Sequence, residues 1–299
     1  MQYVLGAFLL LASAAQLWAG AWTLPRGAVW AKLSYLQHNT GEWYTSRQGF
    51  QVVFDGDMPR NIEIAPGRRV RYDFAGQYRS KAVFAEVFYG LTERLDIGVQ
   101  IPVVQQNFSS DTGLDRTDEG LGDIRLLAKW RLLQEPVLFT LKSGVKMPTG
   151  EFKNEDGLIP VGAGQWDFDF AGQIGRSFWP WPLYGNLDIG YRVRTINAEI
   201  DRDPGDEFFL NAELGYHITS KWLLTGKYEM LRSKAATEFG GILIRSQINR
   251  ITYLTPSLLY SINDGRTALE ASLRFTLNGR NYPAGKQYVL GASTRFSTH

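Results

Sequence analysis

The sequence contains no cysteine, which excludes disulfide bonds, thiolate metal sites and a lipid-modified N-terminal cysteine. Charge of one sign is not in excess either, because 32 Lys and Arg stand against 30 Asp and Glu, for a formal net charge of +2. Basic and acidic residues are interleaved, so the chain lacks the concentrated basic stripe that binds a phosphate backbone. We therefore expect no nucleic-acid partner.

Histidine is scarce, with three residues in the chain, and no His, Asp and Glu grouping has the spacing of metal ligands. The GLGD stretch at 120–123 neither follows a strand nor opens a helix, as a dinucleotide-binding motif must. One pair, Ser34 and His38, suggests nucleophilic catalysis, but about 13 Å of extended strand separates the two residues. We expect no catalytic residues, no metal and no cofactor.

Long hydrophobic runs are missing after residue 21, whereas a membrane-spanning helix needs about 18 or more apolar residues. The start of the chain differs, because an apolar run from Tyr3 to Leu11 leads through small residues to Ala19-Gly20-Ala21. This pattern predicts a signal peptide over residues 1–21, and its short apolar core argues against a membrane anchor. We expect residues 22–299 to form one domain that crosses a membrane, if at all, as strands.

A two-residue hydrophobic period runs through the rest of the chain. In DIRLLAKWRL at 123–132, Leu126 and Trp130 share one face while Arg125 and Lys129 share the other, as in a strand. Twelve such segments recur along the chain. They lie at about 27–39, 70–89, 95–107, 121–133, 137–148, 165–178, 183–197, 207–218, 222–233, 247–263, 266–277 and 286–296.

The connections between these segments alternate in length. Tight turns are GLTER at 90–94, QEP at 134–136, WPWP at 179–182, TSK at 219–221 and NDG at 263–265. The other connections are longer and rich in Gly, Asp, Asn and Arg. Short turns at one end and long loops at the other are typical of an outer-membrane barrel.

A soluble β-sandwich would show the same alternation of faces, so strand length separates the two architectures. Segments of about 10 to 13 residues suit a tilted crossing of a bilayer better than the usual strand of about 5 to 6. Aromatic residues also cluster beside the tight turns, where an interface girdle lies. These are Tyr89, Phe178, Trp179, Trp181, Tyr184, Trp222 and Tyr260. We predict an all-β fold, a transmembrane antiparallel up-and-down β-barrel of about 12 strands.

The apolar face must then point to lipid and the charged face into the lumen, since a bare Lys or Arg at mid-bilayer costs about 2–4 kcal/mol. The predicted pore-lining residues are Arg125, Lys129, Lys142, Lys146, Asp167, Asp169, Arg192, Arg194, Glu270 and Arg274. Strand order places Asp167 and Asp169 between Lys146 and the two arginines Arg192 and Arg194, which predicts an ion-pair network. Such a network either selects solutes or only neutralises its own charges.

Two segments break the pattern. The polar face of 70–89 changes phase near Ser80-Lys81, which predicts a bulge or a strand break with 70–79 above the membrane. Pro256 lies inside the tenth segment and has no N–H for the ladder, which predicts a second bulge there.

Several stretches resemble a known family of outer-membrane transporters, labelled the MetA pathway of phenol degradation. They are YGLTERLDIGVQIPV at 89–103, GLGDIRLLAKWRLL at 120–133, KSGVKMPTG at 142–150 and GAGQWDFDFAGQIGRSF at 162–178. The resemblance implies a small barrel that passes small hydrophobic or aromatic compounds. It carries over no catalytic or ligand residues.

We therefore predict a monomeric channel in the outer membrane of a Gram-negative cell, in contact with outer-membrane lipid, for passive uptake of small solutes. Two alternatives remain. One is an outer-membrane lipid-modifying enzyme that uses Ser34 and His38. The other is a structural or adhesion barrel without a conducting pore, whose long loop at 40–69 binds a partner.

Overall fold

A computed structural model describes residues 20–46, 49–55, 58–152, 160–238, 241–244, 247–263 and 265–297. Most of the predicted signal peptide, residues 1–19, lies outside these described residues. Twelve long strands are numbered here in chain order. They are β1 (Ala28–Thr40), β2 (Gln77–Gly90), β3 (Leu95–Ser109), β4 (Arg125–Leu133), β5 (Leu138–Lys146), β6 (Asp167–Ser177), β7 (Leu183–Arg194), β8 (Glu207–His217), β9 (Trp222–Ser233), β10 (Arg250–Ile262), β11 (Thr267–Arg280) and β12 (Lys286–Ser297).

The twelve strands close into a barrel. Each strand pairs antiparallel with the next one along the chain, and β12 pairs with β1 from Ala28 opposite Ser297 to His38 opposite Gln287. Closure leaves the sheet without an unpaired edge. The structure thus confirms the predicted twelve-stranded up-and-down barrel. Within the described part of the chain, no helix is long and apolar enough to span a membrane.

The two faces of the wall follow the predicted inversion. On β1, Leu33 is 58% exposed, whereas its neighbours Lys32 and Ser34 are buried inside the barrel. The same contrast recurs around the barrel. Large apolar side chains exposed on the outside include Val87, Ile97, Leu126, Trp130, Leu141, Phe170, Ile189, Leu214, Leu224, Leu258, Leu269 and Leu290. Because exposed apolar area of this extent is unfavourable in water, the outer face suits a hydrocarbon environment.

The two ends of the barrel differ as predicted. The five tight turns lie at one end, here called the short-turn end, where Trp179 and Trp181 are 86% and 73% exposed. Exposed aromatic side chains at this level suit the interface between water and lipid. The opposite end is the long-loop end. In outer-membrane barrels, short turns face the periplasm and long loops face outward.

Small additional sheets lie at the long-loop end. The strand Glu42–Tyr44 pairs with Arg69–Arg71 and with Tyr282–Pro283, which joins the first loop to the last one. Four further pairings belong to this end. They are Gly49–Asp55 with Met58–Ile64, Asp115–Leu121 with the outer part of β3, and Ala236–Glu238 with both Arg202–Asp203 and Ile242–Ile244.

The prediction for the second strand was partly wrong. The chain breaks between Arg69–Arg71 and β2 at a short 3-10 turn, Asp73–Ala75, so the strand begins at Gln77. Within β2 the alternation never changes phase, and Arg79 and Lys81 simply point outward near the long-loop end. Polar residues are tolerated there because this part of the wall lies close to water.

Two other irregularities lie away from their predicted positions. The register between β10 and β11 shifts at Thr252/Tyr253, whereas Pro256 pairs opposite Gly226 without a shift. Pro256 thus costs a ladder bond but no bulge. The fourth strand begins at Arg125 rather than at 121, and Asp115–Leu121, most of which was predicted as a loop, forms a separate strand.

Candidate channel lumen

The densest group of charges lies inside the barrel on β4–β8, near the long-loop end. Asp169 accepts hydrogen bonds from Arg125, at 2.8 Å, and from Arg192, at 2.5 Å. The fully buried Glu207 carboxylate accepts a hydrogen bond from Arg192 at 2.7 Å and forms an ion pair with Arg194 at 3.1 Å. These five residues alternate in sign, so each buried charge has an opposite neighbour.

A second part of this group ties a loop to the wall. The Lys146 ammonium lies 3.2 Å from Asp167 and 2.8 Å from Asp123. Asp123 also accepts hydrogen bonds from the backbone N–H groups of Gly150 and Ala163, at 3.1 and 3.0 Å. The connection between β5 and β6 is thereby held against the barrel. We call Arg125, Lys146, Asp167, Asp169, Arg192, Arg194 and Glu207 the ion-paired wall.

Other inward charges pair on the far side of the lumen. Lys32 contacts Glu270 at 2.6 Å, and Glu229 forms ion pairs with Arg274, at 3.1 Å, and with Lys227, at 3.2 Å. All five side chains are nearly inaccessible to solvent. This part of the lumen is therefore polar and crowded, and each of these five charges has an opposite partner.

The ten predicted pore-lining residues all lie on the inner face. The predicted network around Asp167 and Asp169 is present, and it includes Lys146 and Arg192 as expected. Arg194 joins it through Glu207, a residue that the sequence analysis did not single out. Glu207 begins β8 directly opposite Arg192, so correct strand register would have identified it. Their role in solute passage remains a prediction.

An apolar strip occupies the opposite part of the inner wall. Val289, Leu36, Ala82 and Val104 are direct cross-strand partners on β12, β1, β2 and β3, and all four are buried. We call these four residues the apolar ladder. Phe84 and, from the β5–β6 loop, Val161 pack against it. The lumen thus has one apolar side and one ion-paired side.

Aromatic side chains close over the long-loop end. Tyr44, Tyr78, Tyr253 and Tyr282 form a buried cluster with Ile251, which brings residues of two loops and two strands together. Because Tyr282 belongs to the loop strand that pairs with Glu42–Tyr44, the cluster fixes the first and last loops over the barrel.

A short N-terminal segment crosses the short-turn end. Residues 22–26, here called the N-terminal strap, precede β1, and Leu24 is buried inside the barrel. The Leu24 N–H donates to both oxygens of Asp96, at 3.1 and 3.2 Å, and Lys129 donates to the Trp22 carbonyl at 2.6 Å. Just before the strap, the Ala21 carbonyl accepts a hydrogen bond from Thr140 at 2.6 Å. The strap is therefore bonded to β3 and β4, and it narrows this end of the lumen.

The candidate catalytic pair does not form a dyad. His38 Nε2 donates to the carbonyl oxygen of Ala284 at 3.0 Å, and its ring packs edge-on against Tyr78. Ser34 lies four residues away on β1, also on the inner face. Both side chains face the lumen rather than the lipid that a lipid-modifying enzyme would act on.

A loop carboxylate outside the membrane-spanning strands secures the rim of the ion-paired wall. Asp206 accepts hydrogen bonds from the Tyr191 hydroxyl at 2.8 Å, the Lys234 ammonium at 3.1 Å and the Arg194 N–H at 3.2 Å. Burial works against ionisation, but these hydrogen bonds outweigh it and lower the pKa of Asp206 from its ordinary value. Asp206 therefore stays ionised at neutral pH.

Comparisons with known proteins agree with this architecture. A family model described as "MetA-pathway of phenol degradation" matches residues 60–291. The crystal structure of the COG4313 outer membrane channel from Pseudomonas putida F1 is similar, with 17% identity and a TM-score of 0.72 over 93% of this chain and 98% of that chain. The beta domain of the Bordetella autotransporter BrkA gives 10% identity and a TM-score of 0.50 over 91% and 100% of the two chains. No curated protein matches the sequence.

Proposed function

This chain belongs to the family described as MetA-pathway of phenol degradation, and we propose that it is an outer-membrane channel for passive diffusion of small solutes, small aromatic compounds among them. The observation that carries the proposal is a closed barrel with apolar side chains outside and polar ones inside. The similar structure from Pseudomonas putida F1 is named an outer membrane channel, which supports the same role. One chain closes the barrel by itself, so we propose a monomer.

The apolar ladder favours an uncharged, apolar solute. Leu36, Phe84 and Val289 are each 5% exposed or less, so a small aromatic ring would reach them by displacing Val161 and would bury its own apolar area there, worth about 25 cal/mol per Å². It could do so without separating any ion pair. The alternating charges of the ion-paired wall produce little net field, so we propose that this wall restricts the size of the solute more than the sign of its charge.

Single-channel recording in planar bilayers tests the proposal. We expect a small, steady ion conductance that phenol blocks reversibly and that glycerol, a polar solute of similar size, blocks much less. Blockade is preferable to liposome uptake here, since phenol crosses lipid without a channel. A protein that inserts as a folded barrel but conducts no ions would contradict the channel function.

One substitution tests the role of the apolar ladder separately. Leu36→Asn places an amide on the strip, and we expect phenol blockade to weaken by roughly tenfold or more, as the loss of one buried leucine contact implies. Leu36→Met is the matched control, since it keeps the apolar character and the volume. Equal phenol blockade in both variants would show that phenol does not use the ladder.

A further inference from the structure

A row of arginines crosses the outside of the barrel at the long-loop end. Arg232 near the end of β9 pairs directly with Arg250 at the start of β10, and Arg250 pairs directly with Arg280 at the end of β11. The inward neighbours Leu231 and Ile251 are buried, so the arginines point away from the lumen. We call Arg232, Arg250 and Arg280 the arginine row.

Three like charges at adjacent cross-strand positions are unfavourable by themselves. Neighbouring strands lie about 4.8 Å apart, so the three Cα atoms fall within about 10 Å of each other. Like charges directly opposite each other destabilise a sheet. Within the described part of the chain, neither Arg232 nor Arg250 forms an ion pair with a carboxylate. Arg232 and Arg250 therefore carry positive charge that an outside anion would neutralise.

Nearby acidic residues of the loops are already engaged elsewhere. Glu42 pairs with Arg69, Glu238 with Arg202, and Asp206 with Lys234. Lys286, the first residue of β12, lies opposite Phe275, five residues along β11 from Arg280, and so is not part of the row. The basic surface spans the three adjacent strands β9, β10 and β11.

The side chains of the row are partly fixed in place. Arg232 donates to the carbonyl oxygens of Leu231 and Ile251 at 2.9 and 3.0 Å and to the Thr252 hydroxyl at 3.0 Å. Arg280 donates to the Ser46 carbonyl at 2.9 Å. Arginine side chains held this way lose little further conformational freedom when they bind an anion.

Directly toward the short-turn end, the same strands present apolar side chains. Tyr228, Leu254 and Leu277 are exposed on the outside of β9, β10 and β11. A ligand that fills both surfaces needs an anionic head and hydrocarbon chains. Arginine binds phosphate oxygens through paired N–H groups, and basic clusters next to a membrane-spanning surface bind anionic lipid heads.

We propose that the arginine row binds a phosphate-bearing glycolipid of the outer leaflet, with its head group on Arg232, Arg250 and Arg280 and its acyl chains along the apolar side chains of β9–β11. This interaction is independent of solute passage. It would fix the height of the barrel in the membrane on one side.

Native mass spectrometry of the detergent-purified full chain tests the proposal, with bis-phosphorylated lipid A as the probe. We expect lipid A to be retained, and Arg250→Gln to weaken retention by about tenfold or more, as the loss of a charge-assisted contact implies. Arg232→Lys keeps the charge but loses the paired N–H geometry, so its retention should be intermediate. Migration of the unheated, folded barrel on gels confirms folding of each variant.

The matched control is Arg176→Gln, an exposed arginine on the outside of β6 at the short-turn end, over the Phe178 ring at 5.8 Å. It should retain lipid A as the wild type does. Equal retention of lipid A from which both phosphates have been removed would overturn the proposal in favour of binding to the apolar belt alone. Displacement of lipid A by inorganic phosphate at a matching concentration would overturn it in favour of a free-phosphate site.

Discussion

On the ion-paired wall, the side chains carry full charges and hold one another, whereas on the apolar ladder the side chains carry none. Arg192 is engaged by both Asp169 and Glu207, so its position is set by its neighbours. The position of Leu36 is determined by apolar packing in a cluster that includes Ala82 and Val289. A solute can therefore contact the ladder without any electrostatic cost, while contact with the opposite wall competes with existing ion pairs.

This difference also shows why counting charges gives a poor guide to the solute. Most inward-facing residues are polar, yet most charged ones are neutralised by a partner within about 3 Å. The minority of apolar residues forms one continuous strip because they are partners across four adjacent strands. The alignment of the apolar residues across strands, rather than their number, determines which side chains a solute would contact.

The largest effect is expected from breaking the ion-paired wall at Glu207. Glu207→Gln removes the carboxylate that binds Arg192 and Arg194 and leaves both cations short of a partner. We expect the free energy of unfolding to fall by about 3–5 kcal/mol. Urea unfolding in detergent micelles, followed by tryptophan fluorescence, measures it.

The control for this substitution is Glu42→Gln, which breaks the exposed pair with Arg69. Exposed pairs contribute about 0–1 kcal/mol, so this variant should unfold almost like the wild type. Similar losses in both variants would mean that the ion-paired wall is no more important than a surface contact.

The next largest effect is expected on conductance, at the short-turn end of the lumen. A solute that leaves the apolar ladder toward the short-turn end meets the N-terminal strap, where Leu24 packs against Phe88 and is bonded to Asp96. Deleting residues 22–26 should raise single-channel conductance several-fold, because the segment occupies space inside the barrel. Unchanged conductance in a folded variant would show that the strap lies outside the ion path.

Leu24→Ser gives a milder test of the strap. It retains the backbone hydrogen bonds to Asp96 but loses the apolar contact with Phe88. We expect flickering between two conductance levels rather than a fully open channel. This result would distinguish the effect of loosening the strap from the effect of removing it.

Much of the barrel could be predicted from the sequence, because alternation and turn length are local properties. The segment around Leu33 shows its outward face within five residues, and the tight turn at Trp179 and Trp181 is equally local. The β2 boundary could not be predicted, because Arg79 and Lys81 point outward above the apolar belt, and their environment depends on height in the membrane.

Which charged residues contact each other inside the lumen depends on strand register, and register could not be predicted from the sequence. Asp167 and Asp169 were placed near the right cations because their strands are adjacent in the chain. Glu207 was missed because its contact with Arg192 requires the β7–β8 alignment to be known to the residue. The strap was missed because nothing in residues 22–26 indicates that they fold back inside the barrel.

The smallest change in the free energy of unfolding is expected at the rim of the barrel. There the titratable Asp206 holds the edge of the ion-paired wall, whereas the apolar ladder has no titratable residue. Because hydrogen bonds lower the pKa of Asp206, its carboxylate stabilises the folded state at pH values above the ordinary pKa of about 3.9. This contribution is lost as pH falls through the lowered pKa. Asp206→Asn should therefore unfold slightly more easily than the wild type from pH 5 to 8, by about 1 kcal/mol or less since its partner Lys234 is exposed.

The difference between wild type and Asp206→Asn should disappear in stronger acid, where both side chains are neutral. Asp111→Asn, in an exposed loop, is the control for the loss of a carboxylate as such. Phenol blockade, if it takes place on the apolar ladder, should stay constant over the same pH range, because Leu36 and Val289 do not titrate. A blockade that followed the titration of Asp206 would instead place the solute against the ion-paired wall and remove the functional distinction between the two.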